Sequence, residues 1–325
     1  MKTKILIIFR ASVDWGFGHL YRDVRLARKL ETFLDVTLSS NPNSVIEDMM
    51  NKAKLKWFPS SDDEILGYIT NNHVEIILVD RLNNSEKFIR KIKSLNCRVI
   101  LLDDQGEGAY LADVLINALV ELPEKIPDNT YYGADYVVYG EEMEYYSHLP
   151  KIPERTKKRI LISFGGSDPN NISALMVPII KSNSTHEFIL VLGPGYIYKN
   201  ELFEDVCGIK NINTLHNVAS LSKLIYEADL CVISGGLTLY ECMYLQKKSF
   251  VACQVQHQVD SVIRYQEYAN IYGLGVVDKN SSNKLALITD YLMGRFDPFS
   301  KKTREFKNGL LQIEAIIKEL IECKS

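Results

Sequence analysis

Short runs of apolar, mostly β-branched residues alternate with longer amphipathic stretches along the whole chain. Residues 5–9 and 76–79 are typical of the short runs, and residues 86–95 are typical of the amphipathic stretches. Runs of the first kind form buried strands, and stretches of the second kind form helices that cover a sheet. Their regular alternation predicts an α/β protein built from βα units with parallel strands.

The chain is long for a single hydrophobic core. It has 325 residues, and single cores rarely grow beyond about 250 to 300 residues. A stretch rich in Pro and charge at 149–158 has the character of an interdomain linker. We therefore expect two Rossmann-like domains, residues 1–154 and residues 155–325. Open sheets bind ligands at the carboxyl ends of their strands, so we expect the two domains to face each other across a ligand-binding cleft.

The expected strands and helices divide between these two domains. Strands are expected at 4–9, 35–39, 76–80, 99–103 and 114–117 in the first domain, and at 159–164, 187–192, 230–234, 249–252 and 274–277 in the second. The clearest expected helices are 19–30, 86–95, 220–228, 238–245, 261–269 and 300–323.

Composition argues against several kinds of partner. The 38 Lys and Arg residues nearly balance the 41 Asp and Glu residues, whereas nucleic-acid-binding domains carry a strongly basic face. No apolar run approaches the roughly 18 to 20 residues of a membrane span, so we expect no stable membrane insertion. The first apolar run stops at Arg10, which is too short for a signal peptide. The six cysteines are scattered without metal-type spacing, as expected of buried thiols in a cytoplasmic protein.

The segment 10–22, RASVDWGFGHLYR, follows the first strand directly. Gly16 and Gly18 free the backbone at a strand-to-helix turn, so helix N–H groups and the positive end of the helix dipole face the cleft. A histidine at that position, His19, is kept neutral by the dipole and can act as a base, with Arg22 one turn later. The alternative is a histidine that only caps or packs the turn. The segment lacks the third glycine of a dinucleotide-binding motif.

The segment 162–171, ISFGGSDPNN, begins the second domain in a similar way. Gly165, Gly166 and Ser167 can present backbone amides to an anion, and Asp168-Pro169 resembles a helix N-cap followed by Pro at the first helical position. The alternative is that the glycines only form a tight turn.

The segment 233–241, ISGGLTLYE, is a third strand-turn-helix junction. Four residues in it can form an anion nest from their backbone amides: Gly235, Gly236, Leu237 and Thr238. Glu241, one turn into the helix, would repel phosphate but can accept two ribose hydroxyls, so the combination suggests a nucleoside diphosphate. The alternative is an ordinary capping box made by Thr238 and Glu241.

Two further places carry polar groups at strand ends. Asp103 and Asp104 could hold a metal or act as acid and base, although a turn-capping role explains them equally well. The segment 254–258, QVQHQ, offers His257 and Gln258 to the hydroxyls of a sugar.

Four motifs together resemble one family. They are GxGHxxR at 16–22, the Asp103-Asp104 pair followed by Ala112-Asp113, SFGGSDPNN at 163–171, and SGGLTLYE at 234–241. In this order they are similar to UDP-2,4-diacetamido-2,4,6-trideoxy-β-L-altropyranose hydrolase, the UDP-sugar hydrolase of pseudaminic acid biosynthesis, and to related spore-coat polysaccharide proteins. The resemblance covers residues 1 to 280.

This resemblance implies a glycosyltransferase-B fold, similar to the transferase that adds N-acetylglucosamine to the lipid-linked peptidoglycan precursor. It implies that UDP binds the second domain, with pyrophosphate at 235–238 and ribose at Glu241. It also implies that His19 activates water for attack at the anomeric carbon of a small-molecule nucleotide sugar, without a metal or another cofactor. The context it implies is nonulosonic (pseudaminic-type) acid or surface-polysaccharide biosynthesis, such as flagellin glycosylation.

The sequence departs from the family at two places. His257 stands where the family typically carries Asn before Gln258, which puts the sugar contact there in doubt. Residues 281–325 lie beyond the matched part, and the final helix could return to the first domain, as is common in this fold. Two other functions stay open: a glycosyltransferase in which His19 deprotonates a sugar or lipid hydroxyl, and a non-catalytic nucleotide-sugar binding protein.

Overall fold

The computed structural model describes residues 2–11, 18–299 and 303–322. The chain divides into two compact units, Met1–Gly140 with Lys307–Ser325, and Glu141–Phe306. Each unit contains one parallel sheet with helices connecting its strands. The expected α/β class with two Rossmann-like domains is therefore confirmed.

The first unit contains seven parallel strands in its described part, in the order β3-β2-β1-β4-β5-β6-β7. Its strands are β1 (Lys4–Phe9), β2 (Asp35–Ser40), β3 (Trp57–Pro59), β4 (Ile76–Asp80), β5 (Arg98–Leu102), β6 (Val114–Asn117) and β7 (Thr130–Tyr132), and its first helices are α1 (Gly18–Leu30), α2 (Ser44–Ala53), α3 (Asp62–Asn72) and α4 (Glu86–Ser94).

The second unit contains six parallel strands in its described part, in the order β10-β9-β8-β11-β12-β13. Its helices and strands are α5 (Glu141–Ser147), β8 (Arg159–Ser163), α6 (Ile172–Leu175), α7 (Val177–Ser182), β9 (Glu187–Leu192), α8 (Lys199–Val206), β10 (Ile212–His216), α9 (Ser222–Glu227), β11 (Leu230–Ile233), α10 (Leu237–Tyr244), β12 (Ser249–Cys253), α11 (Gln256–Tyr265), β13 (Ile271–Val276) and α12 (Ser282–Leu292). The last helix, α13 (Gly309–Glu322), belongs to the first unit.

Both sheets reverse their strand order at one point, between β1 and β4 in the first unit and between β8 and β11 in the second. The loops that leave two such neighbouring strands turn to opposite faces of the sheet, so a crevice opens at their carboxyl ends. The reversal therefore determines which loops line the crevice of each unit. The crevice of the first unit is lined by the loops after β1 and β4, and that of the second unit by the loops after β8 and β11.

Strand β1 shows why the sheets form. Ile5, Ile7 and Phe9 pack into one hydrophobic cluster, while Leu6 and Ile8 pack into another on the opposite face of the sheet. Side chains alternate between the faces of a strand, so an uninterrupted apolar run is buried on both sides. Parallel pairing with β2 and β4 completes this burial.

The division between the units falls at residue 140, earlier than the Pro-rich stretch at 149–158 predicts. Helix α5 packs on α9 of the second unit, with Tyr146 stacked on Tyr226 at 5.1 Å between ring centroids. Helix α13 packs on α1, and its Ile313 and Ile317 join the core cluster of β1. The first unit is therefore built from both ends of the described chain.

Element boundaries differ from expectation where the apolar pattern is weak. Helix α11 begins at Gln256 instead of 261, because its first turn is polar and its buried residues, Val262 and Tyr265, come later. Helix α13 begins at Gly309 instead of 300. No helix among the described residues combines the length and apolarity that crossing a bilayer requires.

Candidate functional site

His19 is the second residue of α1 and lies beside the carboxyl end of β4. Its Nδ1 atom is 2.7 Å from Oδ1 of Asp80, the last residue of that strand. Asp80 is fully buried, whereas the His19 side chain is 22% exposed. A neutral imidazole in this pair donates Nδ1–H to Asp80 and keeps the lone pair on Nε2, which is the form a general base requires.

Arg22, one turn after His19, holds Asp80 in place. Its Nε donates to Oδ2 of Asp80 at 2.8 Å, and its two terminal nitrogens contact Asp80 and Asp103. The side chain is only 12% exposed. The sequence places Arg22 among the substrate-binding residues, but the structure directs its guanidinium to these two carboxylates. These contacts fix the position of the Asp80 carboxylate.

The network around Asp80 is ionic. Burial opposes ionisation of Asp80, but the charge of Arg22 and the hydrogen bond from His19 outweigh it and lower its pKa to about 2. Burial also opposes the charged form of Arg22, yet Asp80 and Asp103 raise its pKa well above the usual value. Asp80 is therefore a carboxylate at any pH near neutrality, and it can stabilise an imidazolium that forms on His19.

The Asp103-Asp104 pair shapes turns. Asp103 accepts hydrogen bonds from the backbone N–H groups of Ala118 and Leu119 at 2.7 and 2.9 Å. Asp104 accepts from the backbone and side-chain nitrogens of Asn84 at 3.1 and 2.7 Å. Within the described ranges, no group of three or more His, Cys, Asp or Glu side chains is arranged to hold a metal ion. Of the two roles left open by the sequence, the structure gives turn capping.

Asp23 lies completely buried behind this network. Burial, followed by the negative charge of Asp80, raises its pKa well above the usual range. Because an ionised carboxylate there is unfavourable, Asp23 takes up a proton on folding, and the stability of the protein falls as pH rises above the unfolded-state pKa of about 4.

We expect Asp23→Asn to remove this pH dependence. Asparagine has nearly the shape of the protonated acid and does not ionise, so the variant should gain stability relative to wild type as pH rises from 5 to 8. Each pH unit between the two pKa values changes the free energy of unfolding by about 1.4 kcal/mol. Thermal melts at both pH values measure it, with Asp63→Asn, whose side chain is 94% exposed, as control. An unchanged slope in Asp23→Asn would refute the assignment.

A cavity of about 530 Å³ opens beside His19 and Asp80 in the first unit. Its other lining residues are Arg10, Asp62, the loop 81–85 and Phe88. Four of the lining residues are not indicated by the motifs of the sequence: Asp80, Arg10, Asp62 and Arg81. The sequence does carry a signal for two of them. The apolar strand β4 ends in Asp80, followed by Arg81, and charged residues at the carboxyl end of a strand lie at the edge where such sheets bind ligands.

The glycine turn after β8 packs against the loop after β9. Gly165 has a φ of +83°, which favours glycine, and a Cβ at Gly193 would overlap the carbonyl oxygens of Gly165 and Gly166. The N–H of Gly195 donates to the carbonyl of Gly166 at 2.8 Å. Gly166 and Ser167 are exposed at this edge. The sequence thus predicts the glycine turn after β8 correctly, but it does not predict that the loop after β9 packs against this turn.

Asp168 and Pro169 do not begin a helix as expected. Helix α6 begins at Ile172, after Asn171. The Asp168 side chain reaches across the turn and accepts from the N–H groups of Ile172 and Ser173 at 2.9 and 2.8 Å. The Asp168 carboxylate therefore accepts hydrogen bonds from the first N–H groups of α6. It can do so although it lies three residues before the N-cap, because the intervening residues form a turn.

The turn after β11 leads into α10 through Gly235 and Gly236. A Cβ at Gly235 would lie 2.7 Å from the Cβ of Gln258, so this turn approaches the first turn of α11 at a place where only glycine fits. Gly236 is the N-cap of α10, and therefore Thr238 and Glu241 do not form the capping box considered above. Leu237 is 52% exposed at the helix start, while Thr238 is largely buried.

The segment after β12 links this turn to the one after β8. The side-chain nitrogen of Gln254 donates to the carbonyl of Phe164 at 2.6 Å, and the Gln254 backbone N–H donates to Oε1 of Gln258 at 2.8 Å. Gln258 therefore stabilises the segment after β12 by accepting this hydrogen bond, whereas His257 is exposed on the first turn of α11.

The predicted site residues group by unit. In the first unit, His19 and Arg22 lie on one turn of α1 that begins at Gly18, and Gly16 lies outside the described residues. In the second unit, the remaining predicted residues follow the carboxyl ends of the strands: Gly165, Gly166, Ser167, Gly235, Gly236, Leu237, Thr238, Glu241, His257 and Gln258.

Comparison with known proteins supports the expected relationship. The chain is 29% identical over 269 residues to an uncharacterised protein of Methanocaldococcus jannaschii, a match that covers 74% of this chain and only 54% of that protein. It is 21% identical over 327 residues to the spore coat polysaccharide biosynthesis protein SpsG of Bacillus subtilis (94% of this chain, 95% of SpsG). It is 22% identical over 267 residues to the UDP-2,4-diacetamido-2,4,6-trideoxy-β-L-altropyranose hydrolase of Campylobacter jejuni (78% and 93%). No protein-family model matches the chain.

Solved structures confirm the fold. MurG of Acinetobacter baumannii superimposes with a TM-score of 0.68 over 98% of this chain and 99% of MurG, at 13% identity. The UDP-GlcNAc 2-epimerase of Neisseria meningitidis gives a TM-score of 0.60 over 98% and 100%, at 10% identity. The chain has the glycosyltransferase-B fold, and its relatives include the spore-coat protein and the UDP-sugar hydrolase that its motifs resemble.

Proposed function

We propose that this protein hydrolyses a UDP-linked amino sugar at the anomeric carbon, releasing UDP and the free sugar. The reaction would belong to nonulosonic (pseudaminic-type) acid or surface-polysaccharide biosynthesis, as the names of two relatives suggest. One observation carries the proposal: His19 is paired with a buried, ionised Asp80 beside a cavity at the reversal of strand order. This is the arrangement of a base whose tautomer and orientation are fixed.

The first unit would supply the base. Nε2 of neutral His19 takes a proton from water as the water oxygen bonds to the anomeric carbon, and the bond from that carbon to the pyrophosphate oxygen breaks. Asp80 stabilises the imidazolium that results, and Arg22 prevents Asp80 from turning away. General base catalysis of this kind typically contributes about 10²- to 10⁴-fold.

The second unit would hold the leaving group. The backbone amides of 235–238 lie at the N-terminus of α10, where the helix dipole favours anions. Negative charge grows on the pyrophosphate as the glycosidic bond breaks, so these amides stabilise the transition state more than the ground state. Gly165, Gly166 and Ser167 offer further amides from the β8 turn. The scheme requires neither a metal nor another cofactor.

A glycosyltransferase on the same scaffold is the second candidate. The cavity of about 530 Å³ beside His19 is far larger than one water molecule, so it has room for an acceptor hydroxyl compound. The same base would then deprotonate that hydroxyl. The two functions differ in a single observable, which is release of UDP when no acceptor is present.

The deciding experiment is incubation of the protein with a panel of UDP-sugars in the absence of any acceptor. Phosphorus NMR then follows the conversion of the UDP-sugar to UDP. Steady release of UDP supports the hydrolase. Release that appears only after an acceptor is added supports the transferase, and binding without turnover under both conditions supports a nucleotide-sugar binding protein.

We expect Glu241→Ala to weaken UDP binding. Loss of hydrogen bonds between a carboxylate and ribose hydroxyls costs about 1.5 to 3 kcal/mol, or roughly 10- to 150-fold in Kd. Calorimetry with UDP and with 2′-deoxy-UDP tests the contact itself, because wild type should distinguish the two ligands while the variant should not. Glu204→Ala, at an exposed position of α8, is the control. If the variant still distinguishes the ligands as wild type does, Glu241 does not bind the ribose.

A cytoplasmic location is part of this proposal. The five cysteines of the described chain are free thiols: Cys207 is exposed, and the other four, Cys97, Cys231, Cys242 and Cys253, are buried. Free thiols are the usual state of cysteine in a reducing compartment.

A further inference from the structure

Asp23 lies on the apolar face of α1. The residues three or four positions away along the helix, Leu20, Leu26 and Ala27, are completely buried, and Asp23 is as buried as they are. Residues at these spacings share one face of a helix, so Asp23 occupies a core position. An aspartate is almost never fully buried without a partner. Its position therefore has to be explained by a specific contact.

The partner of Asp23 is Asp80, the carboxylate that His19 also contacts. Asp23 comes four residues after His19 on α1, and its carboxyl group forms a side-chain hydrogen bond with Asp80. Two carboxyl groups form a hydrogen bond only when one of them holds a proton. Asp80 is the ionised member, because it pairs with both Arg22 and His19. Asp23 is therefore the neutral acid, and its O–H is the donor.

With this donor, the Asp80 carboxylate uses all of its acceptor positions. It contacts Nδ1 of His19, Nε of Arg22 at 2.8 Å and a terminal nitrogen of Arg22. A carboxylate has about four acceptor positions, and the O–H of Asp23 takes the fourth. Every donor stabilises the negative charge on Asp80. Each of them therefore weakens the attraction between Asp80 and a proton held on His19.

The charges in contact with one another around His19 also favour a neutral Asp23. Asp80 and Asp103 are both paired with the single guanidinium of Arg22. These three groups carry one net negative charge, which an imidazolium on His19 neutralises. An ionised Asp23 would add a second negative charge at a buried position. That charge would hold the proton on His19 and oppose its release between turnovers.

The other elements that pack on α1 bring no competing charge to this place. The charged residues of α2 are all exposed, and the one partly buried charged residue in the described part of α13, Glu314, pairs with Lys29 at 3.1 Å. Strands β1 and β2 carry charge only at their first residues, Lys4 and Asp35, at the opposite edge of the sheet from His19. The charges that act on the buried acid are those of the network itself.

We propose that Asp23 is a positioning residue for the base: its carboxyl group stays protonated, donates to Asp80, and so keeps His19 free to accept and release a proton near neutral pH. The inference rests on the proposed function, since it gives His19 the role of base. It adds a separate role for the buried acid, because Asp80 and Arg22 orient the imidazole whereas Asp23 limits its basicity. The proton of Asp23 itself is not transferred in the reaction.

Titration of His19 in the absence of substrate tests this role. NMR follows the imidazole C–H signals of wild type, Asp23→Asn and Asp23→Leu with pH, and His19→Gln identifies the His19 signal by its absence. In Asp23→Leu the midpoint of the His19 titration should lie about 0.5 to 1 pH unit higher than in wild type, because Asp80 loses one donor. Asp23→Asn should keep the wild-type midpoint, since its amide N–H replaces the O–H as donor to Asp80.

Two further variants make the comparison independent of a single substitution. Asp23→Val, with a smaller apolar side chain, should shift the midpoint in the same direction as Asp23→Leu. Asp48→Leu, the same change at an exposed position of α2, is the matched control and should leave the midpoint where it is.

The pH profile of UDP release gives a second readout. At the pH where half of His19 is protonated in wild type, Asp23→Leu should release UDP about 2- to 5-fold more slowly, as the shifted midpoint requires. The difference should vanish at higher pH, where His19 is neutral in both proteins. A merely structural role of Asp23 would lower turnover by the same factor at every pH.

Three results would overturn the inference. A lower midpoint in Asp23→Asn would show that Asp23 is ionised in wild type. An unchanged midpoint in both apolar variants would show that its O–H has no influence on His19. An equal rise in Asp23→Asn and Asp23→Leu would show that a donor at this position is unimportant. The NMR titration needs no turnover, so it still reports on Asp23 if no UDP-sugar is hydrolysed and the proposed function fails. The two failures are therefore distinguishable.

Discussion

Replacing His19 with alanine should lower the rate of UDP release by about 10²- to 10⁴-fold, the usual contribution of a positioned general base. The Kd of UDP should stay the same, because the nucleotide is proposed to bind loops of the second unit. The reason for so large an effect is the pairing of His19 with Asp80, which presents Nε2 as the acceptor. Phosphorus NMR measures the rate, and calorimetry measures UDP binding.

A matched histidine serves as the control. His148 lies after α5 with 74% of its side chain exposed, and His148→Ala should release UDP at the wild-type rate. Turnover unaffected by His19→Ala would remove the proposed mechanism, even if hydrolysis itself were observed. Loss of UDP binding along with turnover would instead show that the substitution disturbs the fold.

Replacing Asp80 should damage both stability and activity. Asp80→Ala leaves the buried Arg22 with only one of its two carboxylates, and breaking a buried ion pair typically costs about 3 to 5 kcal/mol. The milder Asp80→Asn keeps the shape but no longer fixes the proton on Nδ1 of His19, so turnover should fall by about 10²- to 10⁴-fold. Urea unfolding measures the stability, and phosphorus NMR on the folded variant measures turnover.

The pH dependence of Asp80 gives a second readout. Its pKa is lowered to about 2 on folding, so its contribution to stability is present above pH 4 and is lost as pH falls from 4 towards 2. In Asp80→Asn this loss should be absent.

Asp103→Asn separates the role of the network in turnover from its role in stability. Asp103 also contacts Arg22, but its other contacts are the backbone amides of Ala118 and Leu119. This variant should lose stability while its turnover falls much less than that of Asp80→Asn. If both variants lose the same activity, the contact from Asp80 to His19 is not what matters, and the network serves only to stabilise the fold.

The expected strands whose bounds match the structure all lie inside a sheet. Strands β1, β4, β6 and β9 have the expected bounds, and each of them is paired on both sides. Three strands were not expected from the sequence: β3, β7 and β10. All three lie at sheet edges and have half-exposed residues. Edge strands bury little apolar surface, so their sequences carry a weak pattern.

In the candidate site, too, the local features could be predicted and the contacts between distant residues could not. The glycine turns after β8 and β11 could be predicted because a strand, a turn and a helix follow one another directly in the sequence. The partners of His19 could not. Asp80 lies 61 residues further along the chain, and it reaches His19 only because β4 pairs with β1 while β2 and β3 take the other side.

The sequence by itself thus determined the alternation of strands and helices, the positions of the glycine turns, and a histidine at the start of α1. These are local properties, set by the spacing of apolar residues and by the backbone freedom of glycine. The tertiary structure decided that α13 joins the first unit, that the guanidinium of Arg22 contacts Asp80 and Asp103, and that Arg10, Arg81 and Asp62 share one cavity wall. The order of strands in a sheet depends on the packing of the whole unit, and this order determines which charges meet.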